Sequence, residues 1–289
     1  MKYISTKQAS LKWGISERRI RVLCSENRIE GAFCLGKSWN IPESAEKPVD
    51  NRVNKKKSVV VFGGSKGVGF GIAEKFVNMH CNVYSLDKTQ SENVNVKSVL
   101  IKYNEESVKK ACEQIESVDL LVVYPSIYIN SPIINTSVQD LDSIIDLNLK
   151  TSFYVIKHLI QKLRKSKGQI IVMSSSAGVM PEAMSPAYSM SQASLIMLAK
   201  CLAIAEGKNN VRINTVLMGP ATDSQTFTKK ININEISEWK KLNPLGSMCE
   251  IKDFVDAVVY LSGFSGSKTD KLTGVTLAVD CGETITTEL

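Results

Sequence analysis

Three glycines, Gly63, Gly67 and Gly69, lie in the segment G-G-S-K-G-V-G-F-G at a spacing typical of loops that bind phosphate groups. Glycines placed in this way let the backbone turn tightly, so that amide groups at the start of a following helix can approach a pyrophosphate. Asp87 lies 18 residues after Gly69, close to the ~20 residues at which a carboxylate binds the ribose of a dinucleotide. The spacing predicts a dinucleotide-binding loop. The alternative is that these glycines only shape a turn.

The elements around this loop agree with that interpretation. The apolar run S-V-V-V-F ends directly before the loop, and Ile72, Ala73 and Phe76 follow it at helical spacing. Other apolar runs alternate with helical stretches, namely N-V-Y-S-L, L-L-V-V-Y, Q-I-I-V-M, R-I-N-T-V-L and V-T-L-A-V. Continuous apolar strands separated by helices predict an α/β fold, a Rossmann-like doubly wound parallel sheet, over residues 58–289.

Several segments of residues 58–289 resemble the short-chain dehydrogenase/reductase family. In chain order they are V-F-G-G-S-K-G-V-G, D-L-N-L, I-V-M-S-S-S-A-G, A-Y-S-M-S-Q-A-S-L and L-T-G-V-T-L-A-V-D-C-G. The resemblance implies hydride transfer between a nicotinamide and a carbonyl or alcohol, on a small or carrier-bound substrate. It also implies a homodimer or homotetramer.

The same resemblance implies roles for particular residues. Ser175 would bind the substrate oxygen, Tyr188 would donate or accept its proton, and Asn148 would hold a water in the proton path. Gln192 stands four residues after Tyr188, where the family has a lysine that binds the nicotinamide ribose. The positions expected to bind the cofactor are Gly63, Ser65, Lys66, Gly67, Val68, Gly69, Asp87 and Gln192.

The replacement of the lysine by Gln192 weakens the predicted proton relay. A tyrosine has a pKa near ~10, and a nearby cation is the main means of lowering it. If the lysine lowers this pKa by about 2 units, its loss withholds roughly 3 kcal/mol from the tyrosinate. Reduction, in which Tyr188 donates its proton, suffers less than oxidation.

Other departures from the family also weaken the predicted cofactor site. Ile101 stands where an aspartate usually contacts adenine, and Val123-Tyr124-Pro125-Ser126 replaces N-N-A-G. Two hypotheses therefore stay open. One is an NAD(P)-dependent oxidoreductase, and the other is a non-catalytic regulator that senses a dinucleotide or metabolite, or retains no cofactor.

The type of cofactor depends on opposing charges. Asp87 would repel a 2′-phosphate, which favours NAD(H) over NADP(H), whereas Lys66 and Lys88 would attract one. We expect NAD(H).

The net charge of +7 is confined to the start of the chain. Residues 1–57 hold 13 basic and 6 acidic side chains, whereas residues 58–289 hold 23 of each. A compact basic segment that precedes a neutral domain is typical of a small added domain that binds a polyanion.

Residues 1–50 show two short helical signals, joined by the turn Trp13-Gly14-Ile15, and then two strand signals, Ile29 to Phe33 and Ser38 to Ile41. The patterns W-G-I-S, R-I-E-G-A and W-N-I-P follow in order and resemble excisionase- and MerR-like helix-turn-helix modules. The resemblance implies a small winged helix-turn-helix domain that binds DNA. The expected contacts are Arg18, Arg19 and Arg21, with Arg28 and Lys37 on phosphates. A protein-docking domain with a solvated basic face is the alternative, and residues 51–57 are expected to be a basic linker.

Other function classes are disfavoured by composition. The longest apolar stretch, Leu195 to Ala205, is broken by Lys200 and is too short to span a bilayer, so we expect no membrane segment. Seven cysteines without a C-x-x-C pair argue against a disulfide scaffold and indicate a cytoplasmic protein. His80 and His158 have no acidic partners at ligand spacing, so we expect no metal site.

Overall fold

The computed structural model describes residues 2–48, 56–125, 127–222 and 243–286. The chain divides into two compact units, Met1–Lys55 and Lys56–Leu289. The strands are β1 (Tyr3–Ser5), β2 (Phe33–Leu35), β3 (Ser38–Pro42), β4 (Ser58–Phe62), β5 (Asn82–Asp87), β6 (Val96–Leu100), β7 (Leu120–Val123), β8 (Gln169–Ser175), β9 (Arg212–Met218) and β10 (Thr276–Val279). The helices are α1 (Thr6–Trp13), α2 (Glu17–Ser25), α3 (Gly67–Asn78), α4 (Glu105–Glu113), α5 (Val138–Ile144), α6 (Ser152–Ser166), α7 (Pro186–Glu206) and α8 (Ile251–Ser262). A π-helical segment, Ile145–Thr151, joins α5 to α6.

The smaller unit packs α1 and α2 against a three-stranded antiparallel sheet in the order β1-β3-β2. Ser5 begins α1 with a capping box, because its hydroxyl accepts from the amide of Gln8 while the Gln8 side chain accepts from the amide of Ser5. Gly14 ends α1 in the left-handed region, at φ 64°. The buried core is Ala9, Trp13, Ile20, Leu23, Cys24, Ile29 and Ile41.

One expectation for this unit was wrong in detail, and one strand was missed. The first strand of the hairpin is Phe33–Leu35 rather than Ile29 to Phe33, because Ile29 is buried in the core beneath the hairpin. The sequence pattern also missed β1, whose three residues pair with β3.

The larger unit contains a seven-stranded parallel sheet in the order β10-β9-β8-β7-β4-β5-β6. All six predicted strands are present. The seventh, β6, was missed because Lys97 and Ser98 interrupt its apolar pattern at the edge of the sheet. The strand order reverses between β4 and β7, and ligands of open α/β sheets bind outside the carboxyl ends of the strands at such a point.

Both faces of this sheet are covered. Val60 and Phe62 pack with α4, α6 and α7 on one face, whereas Val59 and Val61 pack with α3 and α8 on the other. Because both sets of side chains are buried, the central strand is a continuous apolar run, as expected for a parallel sheet.

One helical segment, Pro186–Asn209, is long and apolar enough to cross a bilayer by length and composition. It is longer than the apolar stretch considered from the sequence. Leu195 and Ala199 of this segment are buried in the core beside the sheet, which is the environment of a core helix.

Candidate active site

The glycine-rich loop follows β4 directly and leads into α3. Gly63 has a φ of +84°, and a Cβ at this position would lie 2.1 Å from the carbonyl oxygen of Tyr124. A Cβ on Gly69 would lie 2.0 Å from the carbonyl oxygen of Gly63. Both separations are impossible for real atoms, so the close approach of these backbone segments requires glycine.

A cleft of about 350 Å³ opens at the carboxyl ends of the strands, where the sheet order reverses. Among the predicted cofactor residues, Gly63, Ser65, Lys66, Gly67, Val68 and Asp87 line it. The lining also includes residues without a predicted cofactor role: Phe62, Lys88, Thr89, Tyr103, Tyr124, Pro125 and Leu147. The structure thus brings the loop and Asp87 together around one cleft.

Asp87 is held by the glycine-rich loop itself. Its Oδ2 accepts hydrogen bonds from the Ser65 hydroxyl at 2.6 Å and from the Ser65 amide at 3.2 Å. Its Oδ1 accepts from the amide of Lys88 at 2.7 Å, and the Ser65 hydroxyl is also 2.9 Å from that of Thr89. These contacts keep the carboxylate at the edge of the cleft.

An aromatic residue lies next to this carboxylate. The Lys88 ammonium sits 3.9 Å from the centre of the Tyr103 ring. Burial, together with the negative charge of Asp87, raises the pKa of Tyr103 to about 12. Tyr103 therefore stays neutral and offers a flat apolar surface at this end of the cleft, while neighbouring Ile101 is buried in the core.

Tyr188 and Ser175 meet beyond β8. Ser175 ends β8, Tyr188 lies in the first turn of α7, and the Ser175 hydroxyl is close enough to act on the pKa of Tyr188. Burial raises the pKa of Tyr188 well above its ordinary value, and the contact with Ser175 only partly offsets that rise. The ring of Tyr128 packs edge-to-face on the ring of Tyr188, at 5.0 Å and 83°, which fixes its orientation.

Asn148 is fully buried in the π-helical segment and supports Tyr188 indirectly. Its side-chain amide exchanges two hydrogen bonds with the backbone of Ile127, at 3.1 and 3.0 Å. It also donates to the Ser191 hydroxyl at 3.1 Å, and Ser191 donates to the carbonyl of Tyr188 at 2.7 Å. Both polar atoms of the Asn148 side chain are therefore hydrogen-bonded to other protein groups. Ser191 had no predicted role, although it stands in the same segment as Tyr188.

One carboxylate, Glu182, lies near Tyr188 and a second, Glu283, lies near Glu182, and sequence reasoning missed both. Glu182 is close enough for its negative charge to raise the pKa of Tyr188. Burial and the charges of Asp280 and Glu182 raise the pKa of Glu283, although a hydrogen bond with Ser176 opposes this rise. No cation is among the described groups that shift the pKa of Tyr188, so its surroundings favour the neutral hydroxyl.

Comparison with known proteins assigns the larger unit to a family. Residues 63–284 match the family described as Enoyl-(Acyl carrier protein) reductase. The chain belongs to the short-chain dehydrogenase/reductase family. This membership confirms the resemblance inferred for the larger unit.

Curated relatives of this family include two reductases of acyl carrier proteins. The 3-oxoacyl-[acyl-carrier-protein] reductase FabG of Chlamydia muridarum is 28% identical over 245 residues, which cover 78% of this chain and 96% of that protein. The enzyme of the same name from Rickettsia bellii is 27% identical over 236 residues, which cover 78% of this chain and 95% of that protein.

Solved structures of the family have the same fold. Ligand-free aldohexose dehydrogenase of Thermoplasma acidophilum has a TM-score of 0.74 and 25% identity, covering 81% of this chain and 96% of that one. The 4-hydroxyisoleucine dehydrogenase complexed with NADH has a TM-score of 0.71 and 25% identity, and the match covers 80% of this chain and 100% of that one. Short-chain dehydrogenases thus share the Rossmann-like sheet of the larger unit.

Gln192 lies four residues after Tyr188 in α7, and its surroundings bear on what this position is suited to bind. Its side chain is 2% exposed, and Nε2 has no hydrogen-bond partner in the described part of the chain. An unsatisfied buried donor costs about 1–3 kcal/mol. In the cleft, a Cβ at Gly67 would meet no atom within 4 Å, so space lies open in front of the loop. This space fits a dinucleotide, whereas neither Gln192 nor Gly69 is among the residues that line the cleft.

Three predicted features fall outside the described residues. One is Ser126 and another is the part of the basic linker at residues 51–55. The third is most of residues 221–243, with Phe227 and Trp239, which resemblance to the family implies as a substrate lid. The described residues contain no group of three or more side chains suited to hold a metal. His158 does have an acidic neighbour that sequence spacing did not show, because Glu105 lies 3.3 Å away across two helices.

The basic residues of the smaller unit differ in exposure. Arg18, Arg21 and Lys37 are exposed, and Arg19 and Arg28 are half-buried. Acidic neighbours lie beside two of them, because Arg21 pairs with Glu17 at 3.3 Å and Arg28 pairs with Glu26 at 3.6 Å.

Proposed function

We propose that the larger unit is an NAD(P)H-dependent carbonyl reductase in which Ser175 binds the carbonyl oxygen and Tyr188 protonates it. The observation that carries this proposal is the placement of Ser175 beside Tyr188 at the end of β8, where Ser175 opposes the rise in the pKa of Tyr188. A hydroxyl pair of this kind can hold one carbonyl oxygen by two hydrogen bonds and deliver a proton to it. The names of the FabG relatives favour a 3-oxoacyl thioester as the carbonyl substrate.

The groove for the cofactor would be formed by the glycine-rich loop, with its helix N-terminus directed at the pyrophosphate. Asp87 would receive the adenosine ribose hydroxyls and repel a 2′-phosphate, which favours NAD(H). The orphaned Nε2 of Gln192 would donate to the second ribose. A bound nicotinamide supplies the hydride for the carbonyl carbon.

The charges around Tyr188 set the direction of the reaction. A neutral tyrosine can donate a proton, and Ser175 then stabilises the resulting tyrosinate by a hydrogen bond. Glu182 opposes that anion, and Gln192 supplies no compensating charge. We therefore propose slow reduction and much slower oxidation.

The same features also support a second candidate function, a regulator that binds a dinucleotide without turnover. The raised pKa of Tyr188 and the uncharged Gln192 favour this alternative. Binding and turnover can be measured separately, so the two functions are distinguishable.

For the smaller unit we propose DNA binding through residues 1–50, with a linker at 51–57 and the reductase at 58–289. Supporting features are the exposed Arg18 and Arg21 on α2, the exposed Lys37 on the hairpin, and the concentration of net charge before residue 58. In a helix-turn-helix the second helix enters the major groove. A protein-docking role remains the alternative.

A homodimer or homotetramer is part of this proposal. Met190, Met197 and Ile204 are spaced by seven residues along α7 and are 50%, 58% and 86% exposed. Large apolar side chains aligned on one helix face mark an interaction surface, and a second copy of α7 would cover them.

Replacement of Tyr188 by phenylalanine tests the reductase proposal. NADH consumption with acetoacetyl-coenzyme A, a small 3-oxoacyl thioester, should fall by roughly 10²–10⁴-fold, the usual contribution of a general acid. Calorimetric NADH affinity should stay unchanged, because the hydroxyl is not among the groups proposed to bind the cofactor. Tyr128→Phe is the matched control and should retain activity. NADH binding without turnover in the native chain would favour the regulator, and no binding of NADH or NADPH would reject both functions.

A further inference from the structure

Two cysteines that take no part in the proposed reaction lie side by side. The Sγ atoms of Cys249 and Cys281 are 3.8 Å apart, although 32 positions separate them along the chain. A disulfide bond needs about 2.05 Å between sulfurs, so a small side-chain adjustment would join them. Cys249 lies just before α8, and Cys281 follows β10.

The two thiols differ in accessibility. Cys249 is 3% exposed, and its thiol donates to the carbonyl of Val279 at 3.3 Å. Burial and the adjacent Cys281 raise the pKa of Cys249 to about 12. Cys281 is only half-buried, and its sulfur is 3.3 Å from the Ser247 hydroxyl. Reagents in solution therefore reach Cys281 before Cys249.

The backbone of Cys281 gives a second, independent observation. Its φ is +57°, in the left-handed region that side chains with a Cβ rarely adopt, and it is followed by Gly282 at +86°. Left-handed conformations of residues other than glycine cost free energy and cluster at functional sites. At Cys281, this left-handed backbone occurs at the residue whose thiol lies next to the thiol of Cys249.

We propose that Cys249 and Cys281 form a redox modification site that a hydroperoxide oxidises to a disulfide. The Cys281 thiolate attacks the terminal oxygen of the hydroperoxide, so that an S–O bond forms, the O–O bond breaks and Cys281 becomes a sulfenic acid. The other oxygen leaves as alkoxide or hydroxide and takes up the proton that the Cys281 thiol had released, giving an alcohol or water. The Cys249 sulfur then attacks the Cys281 sulfur, the S–S bond forms, and the oxygen leaves as water with the proton of Cys249. The peroxide gains the two electrons that the two thiols lose.

The positions of Cys249 and Cys281 determine which chain segments this disulfide would cross-link. The amide of Cys249 donates to the carbonyl of Pro220 at 3.2 Å, and its carbonyl accepts from the amide of Thr222 at 3.0 Å. The carbonyl of Cys281 accepts from the amide of Leu245 at 3.4 Å. A disulfide would cross-link the segments after β9 and β10, and closing this loop should raise the Tm by about 5–10 °C.

Peptide mapping of the full-length protein tests this proposal. Trypsin places Cys249 in peptide 242–252 and Cys281 in peptide 272–289, each with one cysteine. The reduced protein is treated with equimolar hydrogen peroxide, alkylated and digested without reductant. The two peptides should appear linked, lighter by two hydrogen atoms than their sum, and separate after reduction.

Variants identify the order of events. Cys249→Ser should leave a sulfenic acid on Cys281 that dimedone traps, while Cys201→Ser, which removes an exposed cysteine elsewhere, should form the linked peptides as the native chain does. Alkylation of both Cys249 and Cys281 at peroxide doses that oxidise Cys201 would overturn the proposal. Because neither cofactor nor substrate is present, this result is independent of the proposed reductase activity.

Discussion

The hydroxyl of Ser65 donates a hydrogen bond of 2.6 Å to Oδ2 of Asp87, which joins the glycine-rich loop after β4 to the end of β5. The loop therefore holds the carboxylate at the place where the adenosine ribose would bind. A ribose hydroxyl must share this acceptor with Ser65, whereas a 2′-phosphate would meet a fixed negative charge.

Asp87→Asn tests the effect of that charge on cofactor choice. We expect NADPH affinity to rise relative to NADH by roughly ten- to a hundredfold, which corresponds to about 1.4–2.8 kcal/mol, since the repulsion disappears while an acceptor for Ser65 remains. Calorimetric titration with both cofactors measures the ratio. Asp87→Glu keeps the charge and serves as control, and an unchanged ratio in Asp87→Asn would show that the carboxylate does not select the cofactor.

Gln192→Lys should restore a cation one helical turn from Tyr188. If the lysine lowers the tyrosine pKa by about 2 units, the tyrosinate population rises on the order of a hundredfold, and alcohol oxidation with NAD should increase correspondingly. Steady-state rates in both directions measure the effect. Gln192→Met has a similar length without the charge, so equal behaviour of the two variants would contradict the electrostatic explanation.

The pH dependence follows from the raised pKa of Tyr188. Below that pKa the hydroxyl carries the proton that reduction requires, so the rate of reduction should stay level through pH 9 and fall only above the raised pKa. Oxidation requires the tyrosinate and should rise about tenfold per pH unit over the same range. Rates measured with saturating cofactor check both slopes, and a fall in reduction near pH 7 would assign the proton to another group.

Gly69→Ala should destabilise the larger unit, because the added Cβ would lie 2.0 Å from the carbonyl oxygen of Gly63. We expect a loss of about 1–3 kcal/mol, as for other overpacked sites, and a Tm lower by several degrees. Gly207→Ala is the matched control, since a Cβ there meets nothing within 4 Å. Equal Tm values for the two variants would mean that the loop can move apart.

The double variant Arg18→Glu and Arg21→Glu tests DNA binding by the smaller unit. Affinity for duplex DNA should fall at least tenfold, and the dependence on salt should become shallower by about 0.9 for each phosphate that the variant no longer neutralises. Fluorescence anisotropy at several salt concentrations measures both quantities. Lys110→Glu reverses a charge in the larger unit as a control, and equal losses in both variants would reject binding through α2.

Local patterns in the chain were sufficient for most of the secondary structure and for the family. The apolar runs predicted six of the seven parallel strands, since a strand buried on both faces has to be continuously apolar. Chain reversals such as Gly14 and caps such as Ser5 are also local, because each depends on neighbours within four residues. Strand β6 was missed because an edge strand does not need that pattern.

The sequence by itself predicted six of the seven parallel strands, the glycine-rich loop and the position of Gln192 four residues after Tyr188, because each of these depends on residue type and short spacing. Only the tertiary structure decided which distant groups act on one another. It placed Glu182 near Tyr188, left Nε2 of Gln192 without a partner in the described part of the chain, and brought Cys249 within 3.8 Å of Cys281. These relationships depend on how the helices pack on the sheet, which brings together residues that no local pattern connects.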